Sequence, residues 1–389
     1  MSKFLYDIPT KVFFGEGIVS GGLGKTLKAF GNKVLLVYGC GSIKAMSLYD
    51  TVIAEIASAE MEVFELSGVQ PNPRIESVRL GADICKREKI DVVLAVGGGS
   101  VIDAAKVIAA GALADCDAWK LVTGEEKITA CLPIVSILTL SATGSEMDTF
   151  AVISNLETHE KIGTQSKYMR PKVSFLDPSY TYSVNAFQTA AGSVDIMSHI
   201  IEAYFAPKND LYMLDTQMEG LLKTVIKYTP EAIKNPNDFE SRANLMWASS
   251  WAINGFISGG KRHEWSCHPM EHELSAFYDI THGLGLAILT PRWLEYCLNE
   301  SNVYKYYQFG VNVFDIDKRL PSRIVAERSI KMLSDFFFET CGLVSRLSSI
   351  GIDNKNFEIM ARKACRGGIL SGFVPLCEKD IVKIYEMSL

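Results

Sequence analysis

Asp195 and His199 stand four residues apart in a stretch, Gly192 to Tyr204, that reads as helix, and two more histidines, His268 and His282, follow. Residues i and i+4 of a helix lie on one face about one turn apart, so a carboxylate and an imidazole there can converge on one ion. Three imidazole nitrogens and one carboxylate oxygen suit Fe2+ or Zn2+, whereas Ca2+ and Mg2+ prefer shells of oxygen. In a chain with six histidines a lone Asp-x-x-x-His arises easily by chance. What favours a site is a second chemical signal elsewhere in the chain.

That signal is a glycine loop. Val92 to Val96 runs straight into Gly97-Gly98-Gly99-Ser100, followed by a helical pattern carrying Asp103 and Lys106. Consecutive glycines let the chain turn sharply from strand to helix and bring backbone N–H groups to a phosphate at the positive helix N-terminus. The loop departs from Gly-x-Gly-x-x-Gly, so a variant of the dinucleotide-binding fold is expected. A second turn, Gly39-Cys40-Gly41-Ser42, ends the first clear strand. An acidic side chain at that strand end would hold the ribose hydroxyls of NAD and repel the extra phosphate of NADP. Here the end is Tyr38-Gly39, with Ser42 and Lys44 close behind, which favours NADP(H) over NAD(H). A third segment, Thr139 to Glu146, is rich in small hydroxyl residues, and Thr139, Ser141 and Ser145 are candidates to line the nicotinamide or diphosphate. It reads equally well as a polar turn.

The elements that must carry these residues fall into two halves. Apolar runs at Val34–Tyr38, Val63–Leu66, Val92–Val96, Ile134–Leu140 and Val173–Leu176 alternate with helical patterns at Ser42–Ala59, Arg74–Lys89 and Ser100–Leu113. This alternation predicts a doubly wound, mostly parallel sheet, an α/β variant Rossmann domain over residues 1–182. Beyond Pro178 come long helical segments, Ala186–Ala206, Leu211–Tyr228 and Phe239–Phe256, so residues 183–389 are expected to form an all-α domain that carries the metal ligands. The 389 residues suit two domains. The net charge of -6 and the absence of any Lys/Arg block exclude nucleic acid as an expected partner. The longest apolar stretch, Ile128–Ala142, is broken by Pro133 and too short to span a membrane. Nine cysteines without a Cys-x-x-Cys read as reduced thiols, and Met1–Lys11 lacks a signal-peptide pattern, so a cytoplasmic setting is expected.

His268-Pro269-Met270-Glu271-His272 also spells the inverted zinc-protease motif His-x-x-Glu-His, which raises a metallohydrolase as an alternative. Pro269 counts against it, because the residue before a proline is pushed out of the α region. His268 is therefore expected to precede a helix that starts at Pro269.

Taken together, Gly97-Gly98-Gly99-Ser100-x-x-Asp103-x-x-Lys106, Pro71-Asn72-Pro73, Asp195-x-x-x-His199, and His268-x-x-x-His272 followed by His282-Gly283 resemble the iron-containing (group III) alcohol dehydrogenase family over nearly the whole chain. Within that family the resemblance points to the bacterial NADPH-dependent butanol dehydrogenases and aldehyde reductases. It implies Asp195, His199, His268 and His282 as ligands of one divalent ion, Fe2+ or Zn2+. It also implies His272 as a catalytic residue handling substrate or protons, and Gly39, Gly41, Ser42, Asn72, Gly97, Gly98, Gly99, Ser100, Asp103, Thr139, Ser141 and Ser145 around the nicotinamide cofactor. The cofactor would lie between sheet and helices, the protein would be a homodimer, and the partner would be a small aldehyde or alcohol. Cys40 interrupts a glycine run found in some relatives. Related alternatives are an NAD-dependent polyol dehydrogenase of glycerol or diol type and a zinc-dependent non-redox relative. Phe150, Ile153 and Met197, beside these motifs, are candidates for an apolar substrate pocket or for core.

Overall fold

Six short apolar runs pair side by side in the computed structural model, which describes residues 4–207, 211–260 and 264–389. They are β1 (Lys11–Phe14), β2 (Lys33–Gly39), β3 (Glu62–Val69), β4 (Val92–Gly97), β5 (Ile134–Leu138) and β8 (Val173–Leu176). Their order is β1-β8-β5-β4-β2-β3, and every pairing is parallel. Helices α1 (Leu23–Lys28), α2 (Ser42–Ala45), α3 (Leu48–Ser58), α4 (Ile75–Glu88), α5 (Gly99–Gly111) and α6 (Ala118–Thr123) supply the crossovers. Successive strand residues point to opposite faces, and here both faces are buried. Leu35, Val37, Val93 and Ala95 enter one core with α4 and α5, while Val34, Leu36, Leu94 and Val96 enter another with α1 and α3.

The pattern reading located five of these strands and missed β1. It also assigned nothing to an antiparallel hairpin, β6 (Phe150–Asn155) and β7 (Glu160–Gln165). The helix expected over Ser42–Ala59 is broken, because Ser47 adopts a left-handed backbone (φ 57°) between α2 and α3.

The second half is built from α7 (Ala186–Tyr204), α8 (Tyr212–Lys234), α9 (Phe239–Ile253), α10 (Cys267–Tyr278), α11 (His282–Cys297), α12 (Val303–Phe314), α13 (Ser322–Asp335), α14 (Phe357–Cys365) and α15 (Glu378–Met387). Among the described residues after Pro178, pairing of β type is confined to one isolated bridge, Leu370 to Leu376. The chain divides into two compact units, Asp7–Val184 with Asn237–Ser250, and Met1–Tyr6 with Asn185–Pro236 and Trp251–Leu389. The main division thus falls two residues beyond the expected 182/183 boundary, and most of α9 joins the α/β unit. Among the described residues no helix is long and apolar enough to cross a membrane.

Candidate functional site

In the α/β unit the cofactor candidates collect at the C-terminal ends of neighbouring strands, where open parallel sheets bind ligands. Gly39 closes β2, Asn72 follows β3, Gly97–Ser100 joins β4 to α5, and Thr139, Ser141 and Ser145 follow β5. The Thr139 N–H donates to Gly97 O (3.0 Å), which ties the β5 exit to the glycine loop. Gly99 is required by close approach: a Cβ there would lie 2.3 Å from Thr143 Oγ1. Gly41 sits at φ 146°, where side chains are strained. Asp103 does not point outward. Its buried carboxylate accepts from Ser145 Oγ (2.5 Å) and the Val152 N–H (2.9 Å), and burial pushes its pKa up to about 6. Asp103 therefore braces the Ser145 segment against α5. Lys106, fully buried on the same helix, donates to Asp148 Oδ1 (2.6 Å) and Phe150 O (2.7 Å). Ile153 belongs to the core of this unit and Met197 is buried in α7, so both are core residues.

In the helical unit α7 begins at Asn185, whose side chain accepts from the Gln188 N–H (2.8 Å). This helix then sets Asp195, His199 and Glu202 on one face by i, i+4, i+7 spacing. From α10 come His268, Glu271, His272 and Ser275 on the same principle. His282 is the first residue of α11, and its neighbour Gly283 lets α11 press onto α7. A Cβ at 283 would fall 2.0 Å from Ala191 O.

These three helices bring all four expected ligands together. Asp195 Oδ1 lies 3.6 Å from His199 Nε2, 3.8 Å from His268 Nε2 and 3.6 Å from His282 Nε2. Tetrahedral coordination with bonds of about 2.1 Å requires ligand atoms about 3.4 Å apart; the three Asp195-to-imidazole spacings lie just above that value, and Asp195, His268 and His282 offer ligand atoms all within 4.8 Å of one another. Asp195 Oδ1 and His268 Nε2 are buried and have no hydrogen-bond partner among the described residues, the state expected of atoms that face a cation. Burial alone would raise the Asp195 carboxyl, but His199, His282 and His268 outweigh it and hold it well below the usual carboxylate range. Burial alone would likewise lower His268, and Glu202 and Asp195 instead lift it to about 9. The pocket is electrostatically built for positive charge. The His199 and His268 rings stack at 4.7 Å between centroids, and the His272 ring lies 5.6 Å from that of His282.

Two expectations change. His268 does not precede its helix: α10 starts at Cys267, and Pro269 sits inside the first turn, where a missing N–H removes no helical bond. The Glu202 carboxylate accepts the N–H groups of Ser266 (2.5 Å), Cys267 (2.9 Å) and His268 (3.1 Å), which holds His268 helical in spite of the following proline. The hydrolase reading also falls. It needs Glu271 free to activate water, whereas Glu271 is fully buried, bonded to His282 Nδ1 through one oxygen and to Ser275 Oγ (2.5 Å) through the other.

Sequence reasoning missed Glu202 as a partner of His268, and weighed Glu271 only as a water-activating base. The available signals were the His199-to-Glu202 and His268-to-Glu271 steps of three, which put each glutamate on a ligand-bearing face. It also missed the Lys106–Asp148 pair, signalled by a lone lysine in the otherwise apolar run Ala104–Gly111.

Residues 9–178 match the family model described as iron-containing alcohol dehydrogenase, and residues 189–389 match the C-terminal model of the Fe-containing alcohol dehydrogenase family. The chain is 51% identical over the full length of both chains to NADH-dependent butanol dehydrogenase A of Clostridium acetobutylicum. It is 35% identical, over 93% of each chain, to the NADPH-dependent aldehyde reductase YqhD of Escherichia coli. The solved structure of NADH-dependent butanol dehydrogenase A from Thermotoga maritima superposes with a TM-score of 0.95 at 37% identity, covering 100% of this chain and 99% of that one. Sequence, fold and the convergence of Asp195 with three histidines agree: the chain belongs to the iron-containing alcohol dehydrogenase family.

Proposed function

We propose that this enzyme interconverts short-chain aldehydes, butanal among them, and primary alcohols, with NADP(H) as hydride partner and Fe2+ or Zn2+ held by Asp195, His199, His268 and His282. The observation that carries this reading is the set of three Nε2 atoms 3.6–3.8 Å from one buried carboxylate oxygen. A divalent ion so held supplies a Lewis acid for a carbonyl oxygen, and a bound nicotinamide supplies the hydride. The protein's own residues do the rest. Asp195 contributes the one negative charge among the ligands, and the backbone of Gly97–Ser100 cradles the diphosphate at the start of α5. His272, beside His282, passes the proton between substrate oxygen and solvent through its imidazole.

The preference for NADP(H) rests on the end of β2. No acidic side chain stands there, and Glu65 on β3 is already engaged, accepting from Tyr38 Oη (2.7 Å) and Tyr49 Oη (2.9 Å). Lys44 Nζ lies over the Tyr49 ring at 4.5 Å, beside Ser42, as a positive group for a ribose phosphate. The names of the relatives divide on this point: the 51% identical protein is named for NADH and the 35% identical one for NADPH.

The test is the initial rate of NADPH and of NADH oxidation by metal-replete protein with butanal, at matched cofactor concentrations. Faster turnover with NADPH is expected. A preference for NADH would refute the cofactor assignment, and no turnover of butanal with either would refute the substrate assignment. Turnover confined to glycerol or a diol with NAD+ would establish a polyol dehydrogenase.

A further inference from the structure

Three helices deliver the ligands, and each imidazole must also present the correct nitrogen at the correct angle. Two buried glutamates outside the ligand set stand behind two of the rings. Glu202, 1% exposed, meets His268 Nδ1 with Oε1, and the same carboxylate holds the N–H groups of Ser266, Cys267 and His268. Glu271, 0% exposed, meets His282 Nδ1 with Oε2 while Oε1 accepts from Ser275 Oγ. An imidazole whose Nδ1–H donates to a carboxylate carries its lone pair on Nε2, and Nε2 is the atom that faces Asp195 in both rings.

We propose that Glu202 and Glu271 are positioning residues that fix the tautomer and the ring plane of His268 and His282, and thereby set how tightly the centre holds its divalent cation. The inference rests on the four-ligand reading above. It makes the two arms unequal. Glu202 secures both a ring and the first turn of α10, so one side chain couples the start of that helix to the ligand it carries. Glu271 accepts from the Ser275 hydroxyl, and acts on His282 from the neighbouring helix. Each adds a negative charge behind a neutral ligand, so the centre presents three carboxylates to a dication although only Asp195 touches it.

The test uses full-length protein loaded with Zn2+, titrated against a chromophoric chelator, as wild type and as Glu202→Gln and Glu271→Gln. Co2+-loaded samples report ligand geometry through their visible d–d bands, and circular dichroism reports folding. Glutamine keeps the shape and removes the charge. Loss of an outer-layer partner of this kind weakens metal binding by roughly 10- to 100-fold, so that loss is expected in both variants, with a shifted Co2+ spectrum. Glu271→Gln should retain the wild-type melting profile in the chelated state, and it carries the test alone if Glu202→Gln does not fold. Zn2+ affinity within about threefold of wild type and an unchanged Co2+ spectrum would overturn the proposal. A different failure marks the ligand reading itself: wild type taking up no Zn2+, or Asp195→Asn and His282→Ala holding Zn2+ as wild type does.

Discussion

Glu146 lies in the segment after β5 and is fully buried. Its Oε1 accepts from Ser250 Oγ (2.5 Å), while its Oε2 has no hydrogen-bond partner among the described residues. Burial, reinforced by Asp148 and only partly offset by Ser250 and Lys106, pushes its pKa up from 4.5 to about 7. A carboxyl raised on folding binds its proton more tightly in the native state. Its stabilising contribution is therefore complete below about pH 4.5 and is lost as pH rises through about 7. Integrated from pH 5 to pH 8.5, that shift is worth roughly 2.5 kcal/mol, or about 3 °C if a chain of this length melts as one unit. Glu146→Gln is nearly isosteric and does not titrate. Its own pH-independent cost cancels when the same protein is compared at two pH values. Wild type should thus lose about 3 °C more than the variant between pH 5 and pH 8.5 in scanning calorimetry. Asp103, raised to about 6, and Asp148, also raised, titrate in both proteins, so the difference reports Glu146 together with its coupling to Asp148. Parallel profiles within about 1 °C would refute the claim that burial governs this group.

Replacing His268 or His282 with alanine should remove bound metal and activity together, measured by elemental analysis and butanal reduction on the same samples; a metal-free variant with full activity would sink the ligand assignment. His272→Gln should leave metal content intact and abolish or displace one limb of the pH–rate profile. An unchanged profile would return His272 to a supporting role. Lys106→Met leaves the Asp148 carboxylate buried without its ammonium partner, with the Phe150 N–H and the Arg170 charge still acting on it, and removing one partner of a buried pair costs about 3–5 kcal/mol. Denaturant unfolding checks this, with Lys106→Met/Asp148→Asn expected to recover part of the loss; a change under about 1 kcal/mol would refute the pair as a structural tie.

Much of the fold is legible because hydrophobic period and glycine placement are local signals. Val92–Val96 followed by Gly97–Ser100 identifies a strand, a turn and a helix without reference to anything distant. The hairpin of β6 and β7 is harder to see. Its second strand, Glu-Lys-Ile-Gly-Thr-Gln, is polar at most positions, and its pairing is set by the partner strand. The ligand set was legible from residue types. Which groups orient those ligands was not, because Glu202 meets His268 across 66 positions of chain, and such a contact exists only once α7 and α10 have packed. Pro269 misled for the same reason, since its local preference yields to the Glu202 carboxylate.

The two family matches, 9–178 and 189–389, suggest halves that could be exchanged between relatives at their junction. The interleaving of the chain argues otherwise. Residues Asn237–Ser250 lie within the second match yet belong to the α/β unit, where Met246 fills the core and Ser250 supplies the hydrogen bond to Glu146. A fragment ending at Val184 would lack that plug and leave apolar surface exposed. A chimera joined there would pair one parent's sheet with another parent's α9. Exchange of halves should therefore succeed only when 237–250 travels with 7–184, so the heritable unit of this enzyme is discontinuous along its chain.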